Sequence, residues 1–207
     1  SCKLFVDYSY ITSGKEKVKN TRTTGKDSVN LTRAYLTFEK KIDDAWSAKV
    51  TLDCGTLDQT ATGQDSTKAT VTSTTKSSSA FVKNAYAQYK NAFGPADLKV
   101  QAGLVGTPVI DLLDGLIGSR WIYQNYLDKA SDVTGSSFDV SSADTGVKAE
   151  VKLMKMVTLS GMYANGDGYK TNTTDQDQAT KSYYGTLNIN PIEALNVFGY
   201  WHKHDVS

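Results

Sequence analysis

The chain has 207 residues, 23 basic and 22 acidic side chains for a formal charge of +1, 39% hydrophobic residues and a mean hydropathy of −0.40. So small a net charge gives no bulk electrostatic pull toward nucleic acid, and no apolar run approaches the ~18–20 residues of a membrane helix. A transmembrane β-barrel is not excluded, because its alternating strands average out as polar.

Residues 3–12 alternate, with Leu4, Val6, Tyr8 and Tyr10 against Lys3, Phe5, Asp7 and Ser9, the period of a strand with two unlike faces. A polar stretch, 13–28, separates it from a hairpin at 29–54. There Ala34, Leu36 and Phe38 oppose Arg33, Tyr35, Thr37 and Glu39. Beyond a short turn at 41–45, Trp46, Ala48, Val50 and Leu52 oppose Ser47, Lys49, Thr51 and Asp53. Residues 55–79 form a Thr/Ser/Gly/Asp tract of low complexity, expected to be a long loop. Alternation resumes at 81–90 and, past a turn at 91–97 carrying Gly94 and Pro95, at 98–105. The second hairpin echoes the first, Ala85-Tyr86-Ala87-Gln88-Tyr89 matching Ala34-Tyr35-Leu36-Thr37-Phe38. Two strands per repeat are too few for a propeller blade.

Residues 106–135 break the pattern. Thr107-Pro108 predicts a helix start with proline at the first helical position. Ser119 is placed to cap a second helical turn through Trp121, Ile122, Tyr126 and Leu127, with Gly115 and Gly118 separating the two. Strands return at 145–153 and, across a tight turn at 154–156, at 157–164. A polar loop, 165–179, precedes strands at 180–190 and 195–204, joined by a turn at 191–194.

Connections thus alternate long and short. Outer-membrane barrels have this rhythm, with short turns at one end and long loops at the other, because closure pairs every backbone group within the lipid and leaves only the ends free to vary. Aromatics follow the same division: Phe38, Trp46 and Tyr89 fall beside short turns, and Tyr10, Phe81, Tyr163, Tyr183 and Trp201 near long loops, as two interfacial belts would. The expected fold is all-β, an antiparallel transmembrane β-barrel spanning 1–207 as one domain, with nine strands visible and a loop carrying short helices.

Several short motifs carry a resemblance. Gly106-Thr107-Pro108, Gly118 with Arg120, Ser142-Ala143-Asp144-Thr145-Gly146-Val147 and Asn165-Gly166-Asp167-Gly168-Tyr169 come in an order similar to the phosphate-selective porin O/P-like family of outer-membrane porins. Arg33-Ala34-Tyr35, followed by a short turn and Asp53, resembles outer-membrane porins generally. The resemblance implies a water-filled diffusion barrel in a bacterial outer membrane, often a homotrimer, usually of about sixteen strands. An odd count of nine then makes the chain the N-terminal portion of a larger, even-stranded barrel. The dense arginine and lysine ladder of a phosphate-specific pore is not in the sequence.

If the apolar faces meet lipid, parity assigns Lys3, Asp7, Arg33, Glu39, Lys49, Asp53, Lys90, Lys99, Lys148, Glu150 and Lys152 to the pore wall. Basic residues outnumber acidic ones there, which predicts a mild preference for anions. Local pairing, Arg33 with Asp53 or Lys148 with Glu150, would cancel it. The 106–135 loop is the candidate constriction. Folded inward it brings Asp111, Asp114, Arg120 and Asp128 into the water path and packs Ile110, Leu113, Trp121 and Tyr126 on the wall; folded outward it packs on itself or a neighbour.

No catalytic residues are expected. His202 and His204 are the only histidines, no nucleophile motif accompanies them, and a two-histidine pair is too few ligands for a metal site. Asp167, Asp175 and Asp177 lack calcium-loop spacing. Cys2 and Cys54 lie at opposite ends of their strands, so no disulfide is expected, and no cofactor is implied. The partners expected are outer-membrane lipid, small hydrophilic or anionic solutes and copies of the chain, and not nucleic acid. Two other functions compete with the passive porin: a structural outer-membrane barrel that binds a surface partner through its long loops, and a soluble all-β binding module.

Overall fold

The computed structural model describes residues 1–10, 27–64, 70–118, 127, 140–166, 168–169, 180–192 and 195–206. These form nine strands and one helix: β1 (Cys2–Tyr10), β2 (Asp27–Lys41), β3 (Trp46–Gln64), β4 (Thr70–Phe93), β5 (Ala96–Gly106), α1 (Pro108–Ile117), β6 (Ala143–Leu153), β7 (Val157–Ala164), β8 (Thr180–Ile192) and β9 (Leu195–Val206). Each strand bonds to its neighbours in sequence, β1 through β9. Among the described residues the fold is all-β and antiparallel, with one α-helix. The chain divides into two compact units, Ser1–Leu36 with Leu52–Phe81, and Thr37–Thr51 with Val82–Ser207.

In the first unit β1 lies antiparallel to the start of β2, from Cys2 opposite Leu36 to Tyr10 opposite Asp27, with one slip between Phe5 and Val6. The tract at 55–79, expected to be a long loop, is mostly strand. β3 runs for 19 residues and β4 for 24. Missing apolar alternation does not preclude a strand, because residue type also favours extended backbone. Thr56, Thr60, Thr62, Thr70, Thr72 and Thr74 supply β-branched side chains that favour extended backbone. Cys2 and Cys54 are both free and exposed.

In the second unit β4 through β9 keep a continuous antiparallel register, with Gln88 opposite Gln101, Gln101 opposite Lys148, Lys148 opposite Met162, Met162 opposite Tyr184 and Tyr184 opposite His202. The turns are short and locally stabilised. Asp43 Oδ1 accepts the N–H groups of Ala45 and Trp46 at 2.8 and 2.6 Å, an Asx-type turn. At the β6–β7 turn Met154 and Lys155 sit at φ 49° and 59°, and Met156 N–H donates to the Leu153 carbonyl at 3.0 Å. Two successive left-handed residues match the twist of the flanking strands, at a steric cost glycine or asparagine would avoid.

Helix α1 starts as the sequence predicts, with Thr107 before it and proline in its first turn, and stops at Gly118, whose φ of 64° is left-handed and whose N–H donates to the Asp114 carbonyl at 3.0 Å. The second helical turn expected from Ser119 falls outside the described residues. The core lies between α1 and one face of the sheet: Val105, Val109, Ile110, Val140, Met162, Ala164 and Tyr184, flanked by Tyr86, Leu113, Leu127 and Tyr200.

Candidate functional site

The sheet of the second unit is inverted relative to a soluble protein. Along β6, Val147 is 49% exposed while Lys148 is 4%; along β7, Leu159 is 56% exposed while Ser160 is 6%. On β8, Tyr183 and Leu187 are 37% and 41% exposed, while Ser182, Thr186 and Asn188 are 1%, 5% and 8%. Gln88, Gln101 and Thr51 are buried on the same polar face, and Phe38, Trp46, Val50, Val197 and Trp201 are exposed on the other. Lysine and the polar amides are ordinarily the residues outside and large apolar side chains those inside. Here strict alternation places each on the opposite side.

Aromatics of the apolar face pair near opposite strand ends. Trp46 packs against Tyr89 with ring centroids 5.1 Å apart, beside the short turns. Tyr163 packs against Tyr183 at 5.3 Å, where β7 ends and β8 begins.

Helix α1 lies on the polar face, where that face changes character locally: Met162, Ala164 and Tyr184 take polar-face positions and pack with Val109 and Ile110. One ion pair fixes the helix there. Lys148 Nζ donates to Asp111 Oδ2 at 2.8 Å and to the Gly106 carbonyl at 2.8 Å. The lysine side chain is 5% exposed and the aspartate 53%. Asp111 belongs to the first turn of the helix, the end where a carboxylate is favoured by the macrodipole. Gly106 allows the close approach: a Cβ there would lie 2.5 Å from both Asp111 carboxylate oxygens. Thr107 does not cap the helix; its hydroxyl donates to the Ser141 carbonyl, and its N–H to Ser142 O at 3.2 Å.

The two motifs 142–147 and 165–169 are joined by Asp144. Its Oδ1 accepts the Thr145 N–H and its Oδ2 the Gly166 N–H, both at 2.7 Å, from a site 1% exposed. Asn165 N–H adds a bond to the Thr145 carbonyl at 3.0 Å. Beside this junction Ser182 Oγ lies 2.7 Å from His204 Nδ1 and 3.5 Å from His202 Nε2. His202 stacks on Tyr184 at 4.5 Å, interplanar angle 2°. Ser182 is 1% exposed. Among the described residues no group of three or more His, Cys, Asp or Glu could hold a metal.

Charged side chains of the polar face border two grooves near the short turns. A groove of about 530 Å³ is bordered by Asp44, Lys90, Asp97, Lys99, Glu150 and Lys152, and a neighbouring one of about 440 Å³ by Glu39, Lys41, Asp43 and Lys90. Lys99 and Glu150, directly opposite in register, close an ion pair of 2.7 Å. The local pairing of Lys148 with Glu150 weighed from sequence is therefore not the one formed: each pairs elsewhere. Among the described residues Lys49, Lys90 and Lys152 close no ion pair, nor do Glu39 and Asp97. Asp53 is fully buried and Asp114 half-buried. Arg33 stands opposite Phe5 in the register of β1 and β2; its side chain, with that of Asp7 and with Arg120 and Asp128, lies outside what is described.

Sequence reasoning placed Lys148 and Asp111 separately but missed their contact, since 37 residues and a change from strand to helix separate them. It missed the Asp144 junction for the same reason, although both partners sit in motifs it had singled out. Comparison with family models, curated proteins and solved structures gives no match.

Proposed function

We propose that the chain forms the wall of an outer-membrane porin, a passive diffusion channel for small hydrophilic solutes in a bacterial outer membrane. One observation carries the reading: the inverted alternation, apolar side chains outward and lysine, glutamine, serine and threonine sheltered on the other face. An exposed apolar face of this extent on a water-soluble module would be an aggregation surface, whereas against lipid it is the low-energy arrangement. Paired aromatics near both strand ends suit the two interfaces. The resemblance to the phosphate-selective porin O/P-like family points the same way. Closure into an even-stranded barrel, near sixteen strands, and assembly as a homotrimer belong to the proposal and require strands or copies beyond these nine.

The polar face is then the pore wall and the 106–135 loop its constriction. Support for the inward position is the packing of α1 on Met162, Ala164 and Tyr184 and its anchorage to Lys148. Among the described residues assigned to the pore wall, Lys3, Lys49, Lys90 and Lys152 close no ion pair, against Glu39 and Asp97, which favours a mild anion preference.

Planar-bilayer recording of the reconstituted protein tests this. The expected result is an ohmic conductance whose reversal potential in a KCl gradient shifts to the anion side, and moves back toward neutrality when Lys90 and Lys152 are replaced by Gln. A sealed barrel rejects the porin. It would favour the second reading, a structural barrel binding a surface partner, which the 19- and 24-residue lengths of β3 and β4 make worth separating, because crossing the hydrocarbon layer takes only about 9–11 residues.

A further inference from the structure

Three charged side chains in the larger groove share one feature: each is left open where the sheet could have closed it. Lys90 on β4 stands directly opposite Lys99 on β5, and like charges opposite one another are unfavourable. Glu150 on β6, opposite Lys99 in turn, pairs with Lys99 at 2.7 Å, and Lys90 closes no ion pair among the described residues. One pleat further toward the turn, Asp97 on β5 stands directly opposite Lys152 on β6. These opposite charges are neighbours by register, yet among the described residues they form no ion pair. The groove of about 530 Å³ that they border therefore presents two ammonium groups with a carboxylate set between them. Strand spacing and rise put the backbones of Lys90 and Lys152 about 12 Å apart, a gap two lysine side chains can narrow around a small molecule.

We propose that this groove is a subsite for acidic α-amino acids, solutes with two carboxylates and one ammonium. The proposal rests on the porin reading for its access from the water path. Charge complementarity selects the class. One carboxylate meets Lys90, the other meets Lys152, and the solute's ammonium meets Asp97. A neutral amino acid leaves one lysine unanswered. A dicarboxylate without the amine, or inorganic phosphate, brings its negative charge against Asp97 with nothing to offset it. All three side chains are exposed, so binding is weak and quickly reversed, as a solute in transit requires.

The test titrates the conducting channel with glutamate, glutamine, glutarate and inorganic phosphate, and reads saturation-transfer NMR on the same detergent-folded protein. Glutamate is expected to reduce the current at a concentration about tenfold below glutamine or glutarate, the discrimination of one charged contact. Lys152→Gln should bring glutamate to the level of glutamine. Asp97→Asn should bring it to the level of glutarate and tighten phosphate. These substitutions lie at exposed positions, and heat-modifiable gel mobility checks that each variant is folded. Equal effects of glutamate, glutamine and glutarate through an open channel overturn the subsite and leave the porin intact. Absence of conductance rejects the porin instead; NMR then decides the subsite alone. Glutamate saturation lost on replacing Lys90 and Lys152 by Gln supports it, and glutamate saturation unchanged by that replacement contradicts it.

Discussion

Lys148 and Asp111 are unequal partners, and the inequality can be measured. The ammonium is buried and holds two acceptors, the Asp111 carboxylate and the Gly106 carbonyl, while the carboxylate is half in water. Asp111→Ala strands a buried charge on one carbonyl, a loss of about 3 kcal/mol. Lys148→Met removes the charge, keeps most of the apolar stem and leaves a carboxylate that water can solvate, so the loss falls to about 1 kcal/mol. Urea unfolding in detergent should rank the variants in that order. Equal losses would mean that Lys148 is better hydrated than its burial implies. The lysine's place on the polar face was legible in the sequence, because parity alone assigns it. Its partner was not, because no periodicity relates a strand position to the first turn of a helix placed by tertiary packing.

At the scale of elements, all nine strands were legible from alternation, and the helix start from Thr107-Pro108. The extent of β3 and β4 was not. The threonine- and serine-rich tract carries no apolar alternation, so only its β-branched residues mark it as extended. Two elements give predictions. Ile110 in α1 is 1% exposed against the polar face and Leu116 is 45% exposed. Ile110→Ala should cost about 2–4 kcal/mol and widen the single-channel conductance as the helix loosens, while Leu116→Ala changes neither. A conductance unmoved by Ile110→Ala would place α1 away from the water path. The β6–β7 turn holds Met154 and Lys155 in left-handed conformations. Met154→Asn with Lys155→Gly should therefore stabilise the protein by about 1–2 kcal/mol, read as a higher urea midpoint at unchanged slope. No gain would show that the turn relaxes in solution.

For the molecule as a whole, the inverted sheet organises everything else: the aromatic pairs at strand ends, the charged grooves near the short turns and the helix on the polar side. In the sequence alternation shows only two unlike faces, and it is the loop rhythm and the aromatic placement that turn the apolar one outward. Exposure in the folded chain agrees, with Val147 and Leu159 outside and Lys148 and Ser160 within. The account stands on that orientation being real in a bilayer. Adjacent positions on β3 test it most directly: Lys49, half-buried on the polar face, and Val50, 39% exposed on the apolar one. With Cys2 and Cys54 replaced by Ser, a single cysteine at each position is offered a membrane-impermeant thiol reagent after reconstitution, and in parallel a fluorophore is attached and challenged with bromine-labelled lipid. Lys49→Cys is predicted to react from water and escape quenching by lipid, and Val50→Cys to resist the reagent and be quenched. Reaction of both cysteines from water, with quenching of neither, would contradict it.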